Sequence, residues 1–260
     1  MGRWFIFLPI ATFGRSIHLR LRPLYHVGMI RALAIETSSR VGSVALVEEG
    51  CVLAADTFPH GLQHAARMLP AIDSLCRSLG WTPGDLRHIY VSAGPGSFTG
   101  LRIGITLAKT LAFVSGAALV AVGSARVLVE NAPPDARHVV IVLDAKRDQI
   151  FTASFDRVAD GWAEREPAHL DRLADVLGRV PRPVHLLGEG IPHHRCFIPP
   201  LDAEVLIIDE SLWRPRAEMV AKLGWQLAQD GRFTEAMQLV PIYIRRPEAE
   251  EKCQRQINSS

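Results

Sequence analysis

The alternation of apolar and polar segments predicts an α/β protein. Apolar runs typical of strands cover residues 31–35, 41–47, 51–58, 86–93 and 117–122. Helices are predicted over 62–79 and 101–114, with a short helix starting at Ser124. Three adjacent strands followed by β-α-β-α indicate a mixed sheet with helices on its faces.

The second half of the chain repeats this organisation in outline. Strands are predicted over 139–143, 150–155 and 184–187, and helices over 170–178 and 216–229. Each half opens with a hairpin that carries a polar turn, which suggests a duplication. Pro133-Pro134 is the predicted junction. We therefore expect an N-terminal lobe at 29–132, a smaller C-terminal lobe at 133–247, and a polar tail at 248–260.

The first 28 residues do not fit this pattern. The apolar run from Trp4 to Phe13 contains Pro9 and is about half as long as the ~20 residues that span a bilayer. Met29 directly precedes the first predicted strand. We expect residues 1–28 to be a disordered or spurious extension. A targeting segment is the alternative, because the stretch is arginine-rich and free of acids.

Composition narrows the class of protein. Across 260 residues, 48% are hydrophobic and 22% are charged, as in an ordinary globular protein. The net charge is +2, but four arginines precede Met29 and the remainder has 25 basic against 27 acidic residues. Strong direct binding of nucleic acid is therefore not favoured. Four cysteines without a Cys-x-x-Cys pair are typical of reduced thiols in a cytosolic protein.

A glycine-rich segment between the fourth strand and the second helix is the most distinctive motif. It consists of Gly94, Pro95, Gly96, Ser97, Phe98, Thr99 and Gly100. No Gly-Lys-Ser/Thr follows, so it is not a Walker loop, and Thr99 replaces the last glycine of a nucleophile elbow. Such a turn either cradles an anion or packs a helix closely on a sheet.

Polar residues at strand ends form a candidate nucleotide site, composed of Glu36, Thr37, Ser38 and Asp144. Acids there could hold magnesium and hydroxyls could contact phosphates. Ordinary turn chemistry explains the same residues equally well. No metal site is predicted, because His60 and His64 lack a third ligand.

The two helices that flank the glycine turn carry more apolar surface than a one-sided helix needs. Apolar side chains fill an arc of roughly 200° on the first of them. Either both helices are sandwiched in the core, or they form a protein interface. The interface residues predicted under the second alternative are Leu62, Ala66, Leu69, Ile72, Leu101, Ile105, Ala108 and Ala112.

Five motifs together resemble the TsaB (YeaZ) family. They are Ile35-Glu36-Thr37-Ser38, His64-Ala65-Ala66-Arg67-Met68-Leu69-Pro70, the glycine segment through Gly104, Leu143-Asp144-Ala145-Lys146-Arg147, and Pro241-Ile242-Tyr243-Ile244-Arg245. The resemblance covers residues 29–252. Glu36 stands where the family more often has Asp, and Lys146 where Arg is common.

The resemblance implies a two-lobe actin/Hsp70/sugar-kinase-like (ribonuclease H-like) fold. It also implies a noncatalytic scaffold and activator in threonylcarbamoylation of adenosine 37 in tRNAs that read codons starting with A. The implied partners are TsaD, as a heterodimer, and the ATPase TsaE. ATP and a metal would belong to these partners, and tRNA would bind only through the complex. A cytoplasmic protein without membrane contact, able to form a homodimer when alone, is expected.

One feature of the sequence separates a scaffold from a catalyst. TsaD-like chains carry a His-x-x-x-His metal pair after the strand that follows the glycine-motif helix. Matched by register, those positions hold Ser124 and Leu128, which cannot form such a pair. The alternatives are a small-molecule kinase of the same fold, for which Gly188-Glu189-Gly190 is a poor adenosine-binding segment, and an M22-type metallopeptidase, which lacks its ligands.

Overall fold

The computed structural model describes residues 29–58, 63–199 and 202–244. The predicted extension at 1–28 and tail at 248–260 lie outside the described residues. The strands are β1 (Arg31–Glu36), β2 (Gly42–Glu48), β3 (Cys51–Phe58), β4 (His88–Ser92), β5 (Ala118–Val122), β6 (His138–Ile141), β7 (Leu143–Asp144), β8 (Ile150–Val158), β9 (Gly161–Asp171), β10 (Val184–Leu187) and β11 (Val205–Ile207). The helices are α1 (Gln63–Ser78), α2 (Phe98–Ser115), α3 (Ser124–Val129), α4 (Leu173–Leu177), α5 (Ile191–His194) and α6 (Ala217–Gln229).

The strands form two sheets with the same strand order. In the first sheet the order is β3-β2-β1-β4-β5, with β2 antiparallel to its neighbours and β4 and β5 parallel to β1. In the second sheet β9, β8 and β6 form the antiparallel part, and β10 and β11 lie parallel to β6. The short β7 pairs with β8 beyond the end of β6. This repetition confirms the suggested duplication and the α/β two-lobe fold.

The first sheet is covered on both faces. Leu33 and Ile35 of β1 point towards α1 and α2, whereas Ala32 and Ala34 point towards α6. Because successive side chains of a strand alternate between faces, a strand covered on both sides reads as a continuous apolar run. This explains the unbroken hydrophobic stretches of β1 and β2.

The chain returns to the first lobe at α6, which differs from the predicted boundaries. The sequence placed all of 133–247 in the second lobe, but α6 packs on β1, β2, β4 and β5 of the first sheet. Beyond α6, Thr234 bridges to Leu119 of β5, and Leu239 is buried in the first core. A proline pair marks where the chain leaves a lobe, but it carries no information about a later return.

Two strands of the second lobe were missed from the sequence. β9 was not predicted, and it extends to Asp171, so α4 is shorter than the helix predicted over 170–178. β11 was not predicted either. Charged side chains interrupt the apolar alternation of β9. Two of them are held by ion pairs: Arg165 with Asp156 at 2.8 Å, and Glu166 with Arg179 at 2.9 Å. Charges on such an edge strand are common because they discourage further pairing.

Candidate functional site

The glycine segment forms a sharp turn between β4 and α2, as predicted. Gly94 has φ +112°, and the Gly94–Pro95 peptide is cis. Ser97 caps the helix, because its hydroxyl accepts a hydrogen bond from the Gly100 amide at 3.2 Å. The turn therefore begins α2 directly at the carboxyl end of β4.

The glycines of this turn are required by close packing. A Cβ at Gly96 would overlap the carbonyl oxygen of Ser38, and one at Gly100 would overlap that of Thr37. The Ser97 amide, which could have faced an anion, donates to the Ser38 carbonyl at 2.7 Å. Of the two sequence alternatives, this geometry supports a turn that packs α2 on the loop after β1.

A cleft of about 220 Å³, partly open to solvent, lies between the lobes. Of the four residues predicted as a nucleotide site, Ser38 and Asp144 line this cleft from opposite lobes. Glu36 and Thr37 are fully buried and do not line it. The structure thus brings together half of the predicted set.

The acids at the cleft already have partners within the chain. Asp144 Oδ1 lies 3.1 Å from His194 Nε2 and accepts the Lys146 amide at 3.1 Å. Glu189 joins the two lobes, because it accepts the Arg40 amide at 3.3 Å and the Arg214 Nε at 3.1 Å. These contacts position the cleft walls and already engage three of the four carboxylate oxygens of Asp144 and Glu189.

Glu36 is a buried acid beneath the cleft. Its Oε1 accepts the amide of Ser38 at 2.5 Å and the hydroxyl of Ser38 at 2.6 Å, while Oε2 has no partner among the described residues. Burial raises the pKa of this carboxyl group, and the hydrogen bonds from Ser38 oppose the shift. The nearby Ser92 hydroxyl also lowers the pKa of Glu36, so burial alone accounts for the net rise.

We expect Glu36→Gln to stabilise the protein at neutral pH. Because the folded-state pKa is raised, the stability linked to this group is fully present below its unfolded pKa and is lost as the pH rises through the folded one. The amide keeps the acceptor for Ser38 and carries no charge. At pH 7 the melting temperature of the variant should be higher than that of the wild type, by about 2–4 °C for each kcal/mol gained. Near pH 4 the two melting temperatures should be equal. A lower melting temperature at pH 7 would contradict this account.

Ser124 and Leu128 lie at the cleft, one turn apart on α3. The Ser124 hydroxyl accepts the Gly94 amide at 3.0 Å, and the Ser124 amide donates to the Gly94 carbonyl at 2.8 Å. Ser124 thus holds the glycine turn in place, and no local sequence signal indicated this role. Within the described ranges, no three His, Cys, Asp or Glu residues are grouped so that they could hold a metal ion.

The predicted helix interface needs correction. Ile72, Leu101, Ile105, Ala108 and Ala112 are buried in the core of the chain itself. A side chain buried in its own core has no surface to offer a partner, so these five are core residues. Ala66 and Leu69 are exposed, and Leu62 lies outside the described residues.

An apolar groove nevertheless runs between α1 and α2. Its apolar walls are Leu69 and the buried Met68 on one side, and Ile103 and Leu107 on the other. Leu69 is 51% exposed, and near the end of α2 Phe113 and Val114 are 89% and 73% exposed. By length and composition α2 could also cross a membrane, alone among the described helices, but its inner face is buried on the sheet. Polar Arg102, Thr106 and Thr110 line the same groove. Because apolar side chains of α2 lie on both sides of this narrow polar lane, its sequence could not tell which of them face the core.

Comparison with known proteins adds the family context. The family model described as "TsaD: tRNA N6-adenosine threonylcarbamoyltransferase" matches residues 61–199. The chain is 34% identical to the tRNA threonylcarbamoyladenosine biosynthesis protein TsaB of Bacillus subtilis, over 85% of this chain and 96% of that protein. It is 27% identical to TsaB of Escherichia coli, over 83% and 95% respectively.

Solved structures agree with these relatives. YeaZ from Pseudomonas aeruginosa has a TM-score of 0.71 and 27% identity, covering 83% of this chain and all of that one. A second structure from that organism, of an uncharacterised protein with similarity to the peptidase YeaZ, gives the same TM-score at 26% identity over 84% of this chain and all of its own. The likeness therefore spans both lobes.

Proposed function

We propose, on the premise that this chain belongs to the TsaB family of tRNA threonylcarbamoyladenosine biosynthesis proteins, that it is the noncatalytic subunit which activates TsaD by forming a heterodimer with it. The function concerned is threonylcarbamoylation of tRNA. The finer parts of the proposal are the partner, its docking face and the division of labour.

The observation that carries the proposal is the apolar groove between α1 and α2. Contiguous exposed apolar surface beside a polar rim is typical of a protein interface. The family model for TsaD spans both α1 and α2 of this chain, so a TsaD partner has a corresponding pair of helices. Packing one helix pair on the other would cover both grooves, in a nearly two-fold arrangement.

The noncatalytic role is supported by the cleft. Where a metal-binding His pair would stand, Ser124 is hydrogen-bonded to the glycine turn and Leu128 contributes an aliphatic wall. Neither side chain can coordinate a metal that positions a threonylcarbamoyl donor. The metal and ATP are assigned to the partner subunits.

The remaining parts of the proposal follow from family membership. The modified base is adenosine 37 of tRNAs that read codons starting with A, and the tRNA binds through the complex. The ATPase TsaE is the third component, and the complex works in the cytoplasm. When the chain is alone, a second copy could occupy the groove as a homodimer.

The two alternative activities have less support. A sugar-kinase-like site needs free backbone amides around phosphates, but the Ser97 amide is bonded to Ser38 and the Gly190 amide to the Val142 carbonyl at 2.9 Å. A metallopeptidase needs a cluster of ligands, which the described residues do not provide.

Reconstitution tests the proposal. The isolated chain is expected to transfer no threonylcarbamoyl group to tRNA, because the described residues do not form a cluster of metal ligands that could hold the donor. Addition of TsaD and TsaE from the same organism, with ATP and a threonylcarbamoyl donor, should restore modification, measured by mass spectrometry of digested tRNA. Omission of this chain is the matched control. Modified tRNA made without TsaD would overturn the noncatalytic role.

A further inference from the structure

The last described segment of the chain lies along α2, on the side away from α1. We term residues 234–243 the C-terminal strap. Its hydrogen bonds to the first lobe include the Thr234 amide to the Leu119 carbonyl at 2.7 Å, Lys109 Nζ to the Leu239 carbonyl at 3.2 Å, and the Ile242 amide to the Ala93 carbonyl at 2.7 Å. The strap is therefore a built part of the lobe, and α2 lies between it and the groove.

Apolar side chains of the strap face outward. Met237 is 84% exposed, Val240 is 65% exposed, and Ile242 is about half exposed. Single exposed apolar residues are normal on protein surfaces. Here three occur within six residues of a fixed segment, while the buried Leu239 between them anchors that segment in the core. The exposed positions are thus held in place without having a partner in the described chain.

An aromatic clamp connects the strap with the groove. The Arg102 guanidinium lies 3.8 Å from the centre of the Phe98 ring, and its Nε donates to the Tyr243 hydroxyl at 2.9 Å. Arg102 also lines the groove between α1 and α2. Its two terminal nitrogens make no hydrogen bond or ion pair with any described residue. They are oriented by stacking, and they are available to a carboxylate or carbonyl group of a partner.

We infer that the strap and the clamp form the second half of the docking surface for TsaD, an inference that rests on the proposed function. A stable interface of standard size takes about 20–30 residues from each side, more than the exposed faces of α1 and α2, with 16 and 18 residues, offer. The strap adjoins α2 on its free side and extends the same surface. Arginine and tyrosine in the middle of that surface are typical of interface hot spots.

The chemistry of the surface defines the matching partner region. The partner region presents apolar side chains to Val240 and Ile242, and an acceptor oxygen to Arg102. A segment of TsaD with this character crosses α2 from the groove to the strap. Self-association would instead bring a second strap to the same place.

A binding measurement with matched variants tests the inference. Val240→Asp places a charge on the strap, and Val158→Asp places one on a half-exposed valine of the second lobe. By isothermal titration with purified TsaD, we expect the first to weaken binding about 10-fold or more and the second to change it less than about 2-fold. Hydroxyl-radical footprinting of the unmutated complex provides a readout without a mutation, in which Met237 becomes protected from oxidation.

The outcomes separate the inference from the proposed function. If Val240→Asp binds like the wild type and Met237 stays reactive in the complex, the strap lies outside the interface, and the inference is overturned while the groove remains. If wild-type protein does not bind TsaD, the proposed function fails. Protection of Met237 at rising concentration of this chain alone would assign the strap to self-association instead. Should Val240→Asp not fold, the footprint of the wild type still decides.

Discussion

Leu69→Asp is expected to weaken binding of TsaD roughly 100-fold or more while leaving the fold intact. Leu69 is half exposed on the wall of the groove, so an aspartate there is solvated in the free protein. In the complex the carboxylate would be buried without a partner, which costs several kcal/mol. About 2.8 kcal/mol suffices for a 100-fold change in affinity.

The matched control is Leu206→Asp, which changes a similarly exposed leucine of β11 in the second lobe. It should bind TsaD with the affinity of the wild type. Thermal melts of both variants check that the monomers are folded. Normal binding by a folded Leu69→Asp variant would show that the partner docks on another face, and the groove would lose its role in the proposal.

The glycine turn shows what a sequence can establish. The spacing of Gly94, Gly96 and Gly100 predicted a strand-to-helix turn, and the structure has one. Whether the turn binds an anion or packs a helix depends on where the Thr37 and Ser38 carbonyls lie. Those atoms are some sixty residues away along the chain, so local pattern could not decide between the alternatives.

The helix interface shows the opposite case, in which a pattern was present but ambiguous. On α2 the spacing of Leu101, Ile105, Ala108 and Ala112 marks one face, and the structure turns that face inward. Ile103 and Leu107 lie partly buried at the edge of the same core and also line the groove. Periodicity identifies faces only when one of them is polar. The polar lane of α2 at Arg102 and Thr106 is narrow, so the neighbours of the helix decide which of its apolar sides is buried.

Long-range contacts account for the other differences. The strap, the placement of α6 on the first sheet and the bonds between Ser124 and Gly94 all join segments far apart in the chain. Hydrophobic pattern predicts that α6 buries one face, but both sheets need such a helix. The choice between them depends on tertiary packing, which single-sequence patterns do not contain.

Gly100→Ala is expected to destabilise the protein by about 3 kcal/mol, corresponding to a fall in melting temperature of about 6–12 °C. The sign is informative, because alanine in place of glycine within a helix normally stabilises by about 1 kcal/mol. At this position the added methyl group overlaps the Thr37 carbonyl oxygen, and a backbone atom cannot rotate away as a flexible side chain can.

The control is Gly123→Ala, where an added Cβ has no heavy atom within 4 Å and the backbone φ of −66° suits any residue. Its melting temperature should stay at or slightly above that of the wild type. Because the strain at Gly100 separates α2 from the loop after β1, the outer face of α2 would also shift. Gly100→Ala should therefore weaken TsaD binding even at temperatures where the variant is folded. A Gly100→Ala protein as stable as the Gly123→Ala control would show that the lobe tolerates a wider spacing at this turn, and that the glycine there serves another purpose.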